Sequence, residues 1–398
     1  LRVYGAGRLD ERGETAALRR QHAHYFAEFA ETAGQAVVGA DDAEWVHRLD
    51  DELGNLRAAH RWAVRAGETG VALRLSAPLA FYADWRLLDQ VLRWAEEATS
   101  MPTAAEHELA PLALAAAARA ASNRGRLDDA MALAGLGLDG APDTRDPRRV
   151  FPLRALSLAA FFAGRLDESE QLELEVLRLA EAVGDAQNMI EALGMQALIA
   201  TYGGDPDVGV DLAQQACRHA DHLGNTHMRA FSLYCRGEAL TRCAPDEALS
   251  DLEQSEALAR SVGARLIEGV ALVSIGSLRA GRGEPTAALH ALRRAVNYWR
   301  HGGDWTHQWT TLRNLLFLFV RLGEDEAAAT LLGAAETTTT SPKVYGADAD
   351  RLRESAALLR RRLGHDRHHR AWLRGTRKTD QEAVAFALES IDGIDVGG

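Results

Sequence analysis

Along the middle of the chain, apolar residues recur three or four positions apart, and no convincing stretch alternates with period two. Leu172, Val176, Leu179 and Ala180 fall on one side of a helix, and so do Leu249, Leu252, Leu258 and Val262. Such stripes predict amphipathic helices and no sheet. Short turns interrupt them at a fixed interval. Gly125, Gly164, Gly204, Cys243, Gly283 and Gly323 each open a turn and lie 39 or 40 residues apart, and Gly184, Gly224, Gly263 and Gly303 form a second series between them.

The residues at these turns suit helix punctuation. A glycine just past a helix end adopts the left-handed conformation without a Cβ clash. The Asp, Glu and Pro that follow, as in Gly164-Arg-Leu-Asp-Glu-Ser169 or Cys243-Ala-Pro-Asp-Glu-Ala248, fit the first turn of a new helix, where amides are unpaired and the dipole is positive. Two helices per period give a helix–turn–helix unit that buries its stripe only against its neighbours. The predicted fold is therefore all-α, a right-handed superhelical solenoid of repeats about 40 residues long with helical caps.

The ends depart from this regularity. From Thr15 to about Ser100 the pattern predicts longer helices carrying Trp45, Trp62, Trp85 and Trp94. After Thr337–Thr340 and Ser341-Pro342 it predicts helices near Asp348–Leu363 and Asp380–Ile391. Thr379-x-x-Glu382 forms a capping-box pattern at the start of the last one. The expected division is a joining segment (1–20), an N-terminal helical region (21–100), the repeat array (101–340) and a C-terminal cap (341–398).

Three stretches resemble a known family. Leu1-Arg-Val-Tyr-Gly-Ala-Gly-Arg-Leu9 with Gly13-Glu14, Leu18-Arg-Arg20 and His22-Ala-His-Tyr-Phe26 looks like a segment joining an ATPase module to a helical sensor. Trp45-Val-His-Arg-Leu49 through Glu52-Leu-Gly-Asn-Leu-Arg-Ala-Ala-His-Arg-Trp62 looks like the family's most distinctive helix pair, with His60 where an apolar residue is usual. Leu331-Leu-Gly-Ala-Ala-Glu336, Ala371-Trp372 and Glu382-Ala-Val-Ala-Phe-Ala387 resemble its C-terminal cap. The family is the tetratricopeptide (TPR)-like C-terminal half of bacterial signalling ATPases, the AfsR/SARP-type and LuxR/MalT-type transcriptional regulators. The resemblance implies an array that senses a ligand or partner and restrains an upstream nucleotide-binding switch. The chain starts at Leu1, not Met, and is read as a piece of something longer.

Composition narrows the function further. Of 45 basic residues all but Lys343 and Lys378 are arginine, and the net charge of −12 argues against direct nucleic-acid binding. No apolar run is long enough to cross a bilayer, Leu315–Val320 being among the longest. Cys217, Cys235 and Cys243 lack CxxC spacing and read as reduced, buried cytoplasmic thiols.

Candidate chemistry fails residue by residue. Lys378-Thr379 lacks the glycines of a phosphate loop. Gly135-Leu-Gly-Leu-Asp-Gly140 matches GxGxxG but follows a helical run, Asp128–Ala134, and so reads as a helix end with a glycine-rich turn. His219 with His222, and His365 with His368 and His369, have helical spacing for a metal but no accompanying ligand set, and read as solvated faces. The basic stretch Arg351–Lys378 reads as a solvated face of the cap, the alternative being a contact with nucleic acid or an acidic partner surface. The tryptophans read as core, although Trp305 and Trp309 could line a binding surface near Arg313.

No catalytic, cofactor-binding or metal-ligating residues are expected. Counting back from the turn glycines puts Glu191, Tyr202, Tyr234, Glu238, Thr310 and Arg313 on the concave groove. The expected function is a non-catalytic sensor or scaffold that binds a protein or small-molecule effector there and contacts an upstream nucleotide-binding module within the same protein. It is expected to be cytoplasmic, with no membrane contact. The alternative is a free-standing TPR adaptor for protein–protein interaction.

Overall fold

A computed structural model describes residues 14–394. Of the expected joining segment (1–20), residues 1–13 lie outside the described residues, and residues 15–20 form the start of the first helix. Among the described residues every regular element is helical. In chain order these are α1 (Thr15–Ala36), α2 (Asp42–Ala66), α3 (Thr69–Ser76), α4 (Ala80–Trp85), α5 (Asp89–Thr99), α6 (Ala110–Asn123), α7 (Leu127–Asp139), α8 (Val150–Phe162), α9 (Leu166–Val183) and α10 (Ala186–Gly203). They continue as α11 (Pro206–Leu223), α12 (Thr226–Leu240), α13 (Pro245–Ser261), α14 (Arg265–Gly281), α15 (Pro285–Gly302), α16 (Trp305–Leu322), α17 (Asp325–Thr337), α18 (Gly346–Thr376) and α19 (Asp380–Asp392). Consecutive helices pair and stack as an α-solenoid.

Every glycine of the two turn series has positive φ, from 64° at Gly263 to 105° at Gly204, so each supplies the left-handed step that ends a helix. Where Cys243 replaces glycine the helix stops early, at Leu240, and the turn is made without a left-handed residue. Cys243 is consequently exposed and Cys217 half-buried, and only Cys235 is the buried thiol that all three were expected to be. The GxGxxG stretch is also corrected: Gly135 and Gly137 sit within α7, which runs on to Asp139. Gly137 lets α7 approach α8, since a Cβ there would lie 3.0 Å from Pro152 Cγ.

The apolar stripes pack as the pattern implies. Small residues let helices approach closely, with Ala213, Ala216 and Ala220 on α11 all fully buried. Leu315–Val320 is buried throughout because α16 is covered on all sides, each such side chain contributing roughly 1.5–3 kcal/mol.

The N-terminal region does more than cover the first repeat. Only α1 and α2 are long there, with 22 and 25 residues; α3, α4 and α5 are short, because Pro78 and the left-handed Leu87 break the run. His60 is buried, stacks on the Trp94 ring at 5.1 Å and bonds through Nε2 to the Trp94 carbonyl at 3.2 Å. Burial pushes its pKa down to about 4, so a neutral imidazole fills the place that the resemblance assigns to an apolar residue.

The same region folds back across the concave side and latches onto helices far along the chain. Asn225, fully buried, caps α12 by accepting from the Met228 amide at 2.9 Å, and donates to the carbonyls of Val37 at 3.2 Å and Gly39 at 2.7 Å. Asp42 Oδ2 accepts from the His227 amide at 3.1 Å. Trp85 packs its ring on His227, and Arg86 donates to the carbonyls of Val262 and Gly263. Within the array itself, Thr306 Oγ1 on α16 donates to the Ser122 carbonyl on α6 at 2.5 Å. The N-terminal region is therefore tied across the inner helices, and the concave face is partly covered.

In the cap, Gly364 with φ 71° and ψ 167° breaks α18 in two, and the capping box at Thr379 and Glu382 forms. The basic stretch is not simply solvated. Arg362 pairs with Asp325, while Arg367 and Arg374 both pair with Glu326 in the acidic first turn of α17. His219, His222, His365 and His369 are exposed but His368 is buried.

Asn225→Ala removes both a cap and the two bonds to the N-terminal region, and should cost about 3 kcal/mol. Asp205→Ala, which removes only the partly exposed cap of α11, should cost about 1 kcal/mol. Urea unfolding of both variants checks the ordering, and equal losses would contradict a closing role for Asn225.

Candidate functional site

Partial covering of the concave face leaves a central cavity of about 920 Å³. The first helices of successive units form its wall: α10, α12, α14 and α16. The N-terminal region contributes Phe81, Asp84 and Trp85, and the segment after α17 contributes Pro342 to Asp348. Aromatic rings from Phe151, Phe161 and Phe231 make much of the remaining surface apolar.

All six residues placed on the groove by the repeat period line this one cavity: Glu191, Tyr202, Tyr234, Glu238, Thr310 and Arg313. They form three groups. The Tyr202 hydroxyl donates a hydrogen bond to Glu238 Oε2. Burial pushes the Glu238 carboxyl upward, against hydrogen bonds from Ser274 and Tyr202, and it pushes the Tyr202 and Tyr234 phenols upward as well. Arg313 and Thr310 make the second group, with Arg313 Nη2 donating to Thr310 Oγ1 at 3.2 Å. Glu191 stands apart from both.

Arg313 is 8% exposed and has no salt bridge to a carboxylate among the described residues. Its Nη1 donates to Ser341 Oγ at 2.8 Å and the Pro342 carbonyl at 3.2 Å. Burial brings its pKa down to about 10, opposed by the charge of Asp348. The same segment is held from the opposite wall, where the Lys343 amide donates to the Phe162 carbonyl at 3.1 Å. Thr338–Tyr345 is thus a strap across the cavity, and Trp309 serves the strap instead of the cavity. Its indole N–H donates to Thr340 Oγ1 at 2.8 Å, and the ring is 1% exposed. Trp305 packs into the C-terminal core. Neither lines the cavity, contrary to the alternative that their spacing left open.

The six did not include Arg154 on α8, although it stands ten residues before Gly164 as Arg313 does before Gly323, nor Glu173 on α9. Arg154 Nη1 pairs with Glu191 Oε2 and donates to Asn188 Oδ1 at 3.2 Å. Gln187 donates to Glu191 Oε2 as well, at 3.2 Å. Glu173 and Glu191 are 2% and 1% exposed, and Glu173 Oε2 and Glu191 Oε1 have no hydrogen-bond partner. Burial raises both carboxyls against the pull of Arg154, Glu173 to about 7. A signal for Glu173 existed: it follows Ser169 by four and precedes Val176 by three, on the buried face of α9, where a carboxylate is costly unless it is used or paired.

Among the described residues no group of three or more His, Cys, Asp or Glu could hold a metal, and no helix is long and apolar enough to cross a membrane.

A carboxyl raised in the folded state adds stability that is full below its unfolded pKa, 4.5, and is lost as pH rises through about 7. Wild type should lose up to about 3 kcal/mol to this group between pH 5 and pH 8. Glu173→Gln should flatten that part of the profile, as read by urea melts at both pH values. An unchanged slope would contradict the assignment.

No family model and no curated protein matches the sequence. Solved structures do match by fold. A Rap protein complexed with Competence and Sporulation Factor shares 12% identity, covers 91% of this chain and 99% of its own, and superposes with a TM-score of 0.61. A signal transduction ATPase with numerous domains and a tetratricopeptide repeat sensor, from Pyrococcus horikoshii, shares 14% identity over 88% of this chain and 55% of its own, with a TM-score of 0.49. The apo form of RapI shares 11% over 88% and 98%, with a TM-score of 0.41. The last two superpose too loosely to carry an argument. The likeness to the first establishes the fold: this chain is a TPR-like helical-repeat protein in its architecture.

Proposed function

We propose that the chain is a non-catalytic sensor domain whose central cavity takes a small effector. The observation that carries this reading is that one cavity is walled at once by four successive repeats, the folded-back N-terminal region and the strap. A ligand inside touches all three, so its binding energy acts directly on whether they stay together. Such a ligand biases conformation by its differential affinity for the closed and open forms. The volume lies within the roughly 300–1,000 Å³ of small-molecule sites. A partly covered chamber of that size suits a small molecule or short peptide better than a folded protein. The Rap structure, complexed with Competence and Sporulation Factor, is in keeping with a factor-binding role for this architecture.

Closure would then be transmitted to an upstream nucleotide-binding module of a cytoplasmic signalling ATPase that regulates transcription, as the AfsR/SARP and LuxR/MalT resemblance implies. The alternative, a free-standing adaptor, would use the outer surface and leave the chamber idle. Coding DNA read upstream of Leu1 separates the two. An in-frame phosphate-loop module is expected, and a start codon directly before Leu1 would favour the adaptor.

Ser277 lines the cavity on α14, and Ser277→Trp should fill part of it. Compounds from a fragment library that raise the Tm of wild type are expected to lose that effect in S277W. Retention of every shift in the variant would place binding elsewhere and overturn the reading.

A further inference from the structure

Glu173 and Glu191 project from adjacent helices, α9 and α10, toward the same part of the cavity wall, where Arg154 from α8 is the nearest cation. Two carboxylates feel the charge of one guanidinium, which pairs directly only with Glu191. Arg154 and Gln187 both engage Glu191 Oε2, leaving Glu191 Oε1 without a partner; Glu173 Oε2 has none either, and both side chains are at least nine-tenths buried. Buried acceptors left unmade cost about 1–3 kcal/mol each, and the Ser157 hydroxyl beside Glu173 still leaves its Oε2 without a donor. The surroundings are apolar: Leu158, Met195, Leu198 and Phe231 line the cavity with them. Elsewhere in the chamber Asp84 is paired with Arg119 at 2.6 Å, Arg313 is engaged by the strap, and Glu238 accepts from Tyr202 and Ser274.

We propose that this wall is the subsite for a cationic nitrogen, an ammonium or guanidinium carried on an apolar body, whose N–H groups satisfy Glu173 Oε2 and Glu191 Oε1 while its body lies against the aromatic wall. The proposal rests on the cavity being the effector site. It adds the charge that the effector carries and the place where that charge sits. A donor brought to these oxygens makes charge-assisted bonds in a water-poor site, where they are stronger than neutral ones. Binding also favours the ionised carboxyls, so uptake near pH 7 releases protons from Glu173, and the released fraction changes with pH. The groups facing Glu173 and setting that balance are Arg154, Ser157 and Glu191, with Asp185 acting on Glu191.

The test uses the full chain and three matched probes: tryptamine as cation, tryptophol as its neutral counterpart and indole-3-propionate as anion. Titration calorimetry is expected to show tryptamine binding at least about tenfold more tightly than the other two. Glu173→Gln and Glu191→Gln should each weaken tryptamine about tenfold and leave tryptophol unchanged. Arg154→Gln, which removes the competing resident cation, should strengthen tryptamine binding, a gain that misfolding cannot imitate. Equal binding of all three probes, or insensitivity of tryptamine to both Glu variants, overturns the cationic subsite while leaving the cavity as an effector site. Binding by none of the probes, with S277W also without effect on any compound that shifts the Tm, removes both.

Discussion

The latch between the N-terminal region and the middle repeats is the constraint on which the rest of the molecule depends. A solenoid of helix pairs satisfies itself locally, since each helix buries its stripe against the next, and left alone it presents an open groove. Here Asn225 ties the cap of one helix to two carbonyls nearly 190 residues earlier, at Val37 and Gly39, and Asp42 and Arg86 repeat the connection on either side. These bonds use backbone groups at turns, which water would otherwise satisfy. Their worth comes from being buried together with Trp85, whose ring covers His227 and packs edge-on to Phe231. Closure turns a surface into a volume, and every property of the cavity follows from that.

Enclosure changes the electrostatics of the residues inside. Glu173 and Glu191 lie on buried faces of α9 and α10. Within the chamber, removal from water raises both carboxyls, and the single guanidinium of Arg154 offsets only part of the cost. Arg313 illustrates the opposite solution. Its charge is spread over hydroxyl and carbonyl oxygens of the strap and of Thr310, so it remains cationic despite deep burial. One wall is thus under-satisfied and the other fully engaged by the chain itself.

The sequence made part of this legible, and the division is physical. The repeats were readable because a helix must end somewhere, and glycine at a left-handed position leaves a mark at each end. Counting from those marks located Tyr202, Tyr234, Glu238, Thr310 and Arg313 on the inner helices, because the stacking of one unit on the next is a local rule. The latch was not readable. Asn225 looks like any helix cap, and nothing in the residues around Val37 says which turn they will meet. Arg154 was within reach of the same count, since it stands ten residues before Gly164 as Arg313 stands ten before Gly323; what the period could not show is that its partner lies on another unit. The three helices after α2 are shorter than the pattern predicts, because Leu87 breaks the backbone with no glycine to announce it.

An unlatched superhelix is a spring, able to take any pitch between extended and coiled for small increments of energy. Fastening its ends to its middle abolishes that continuum. The joints at Asn225, Arg86 and Thr306 involve different turns of the coil, so loosening one strains the others, and partial opening gains little. The strap adds a further fastening, because the path from α17 to the cap crosses the chamber between Phe162 and Arg313. A molecule built this way is held as a buckle is, at a few joints and not along its whole length, and whatever lies inside bears on all of them at once.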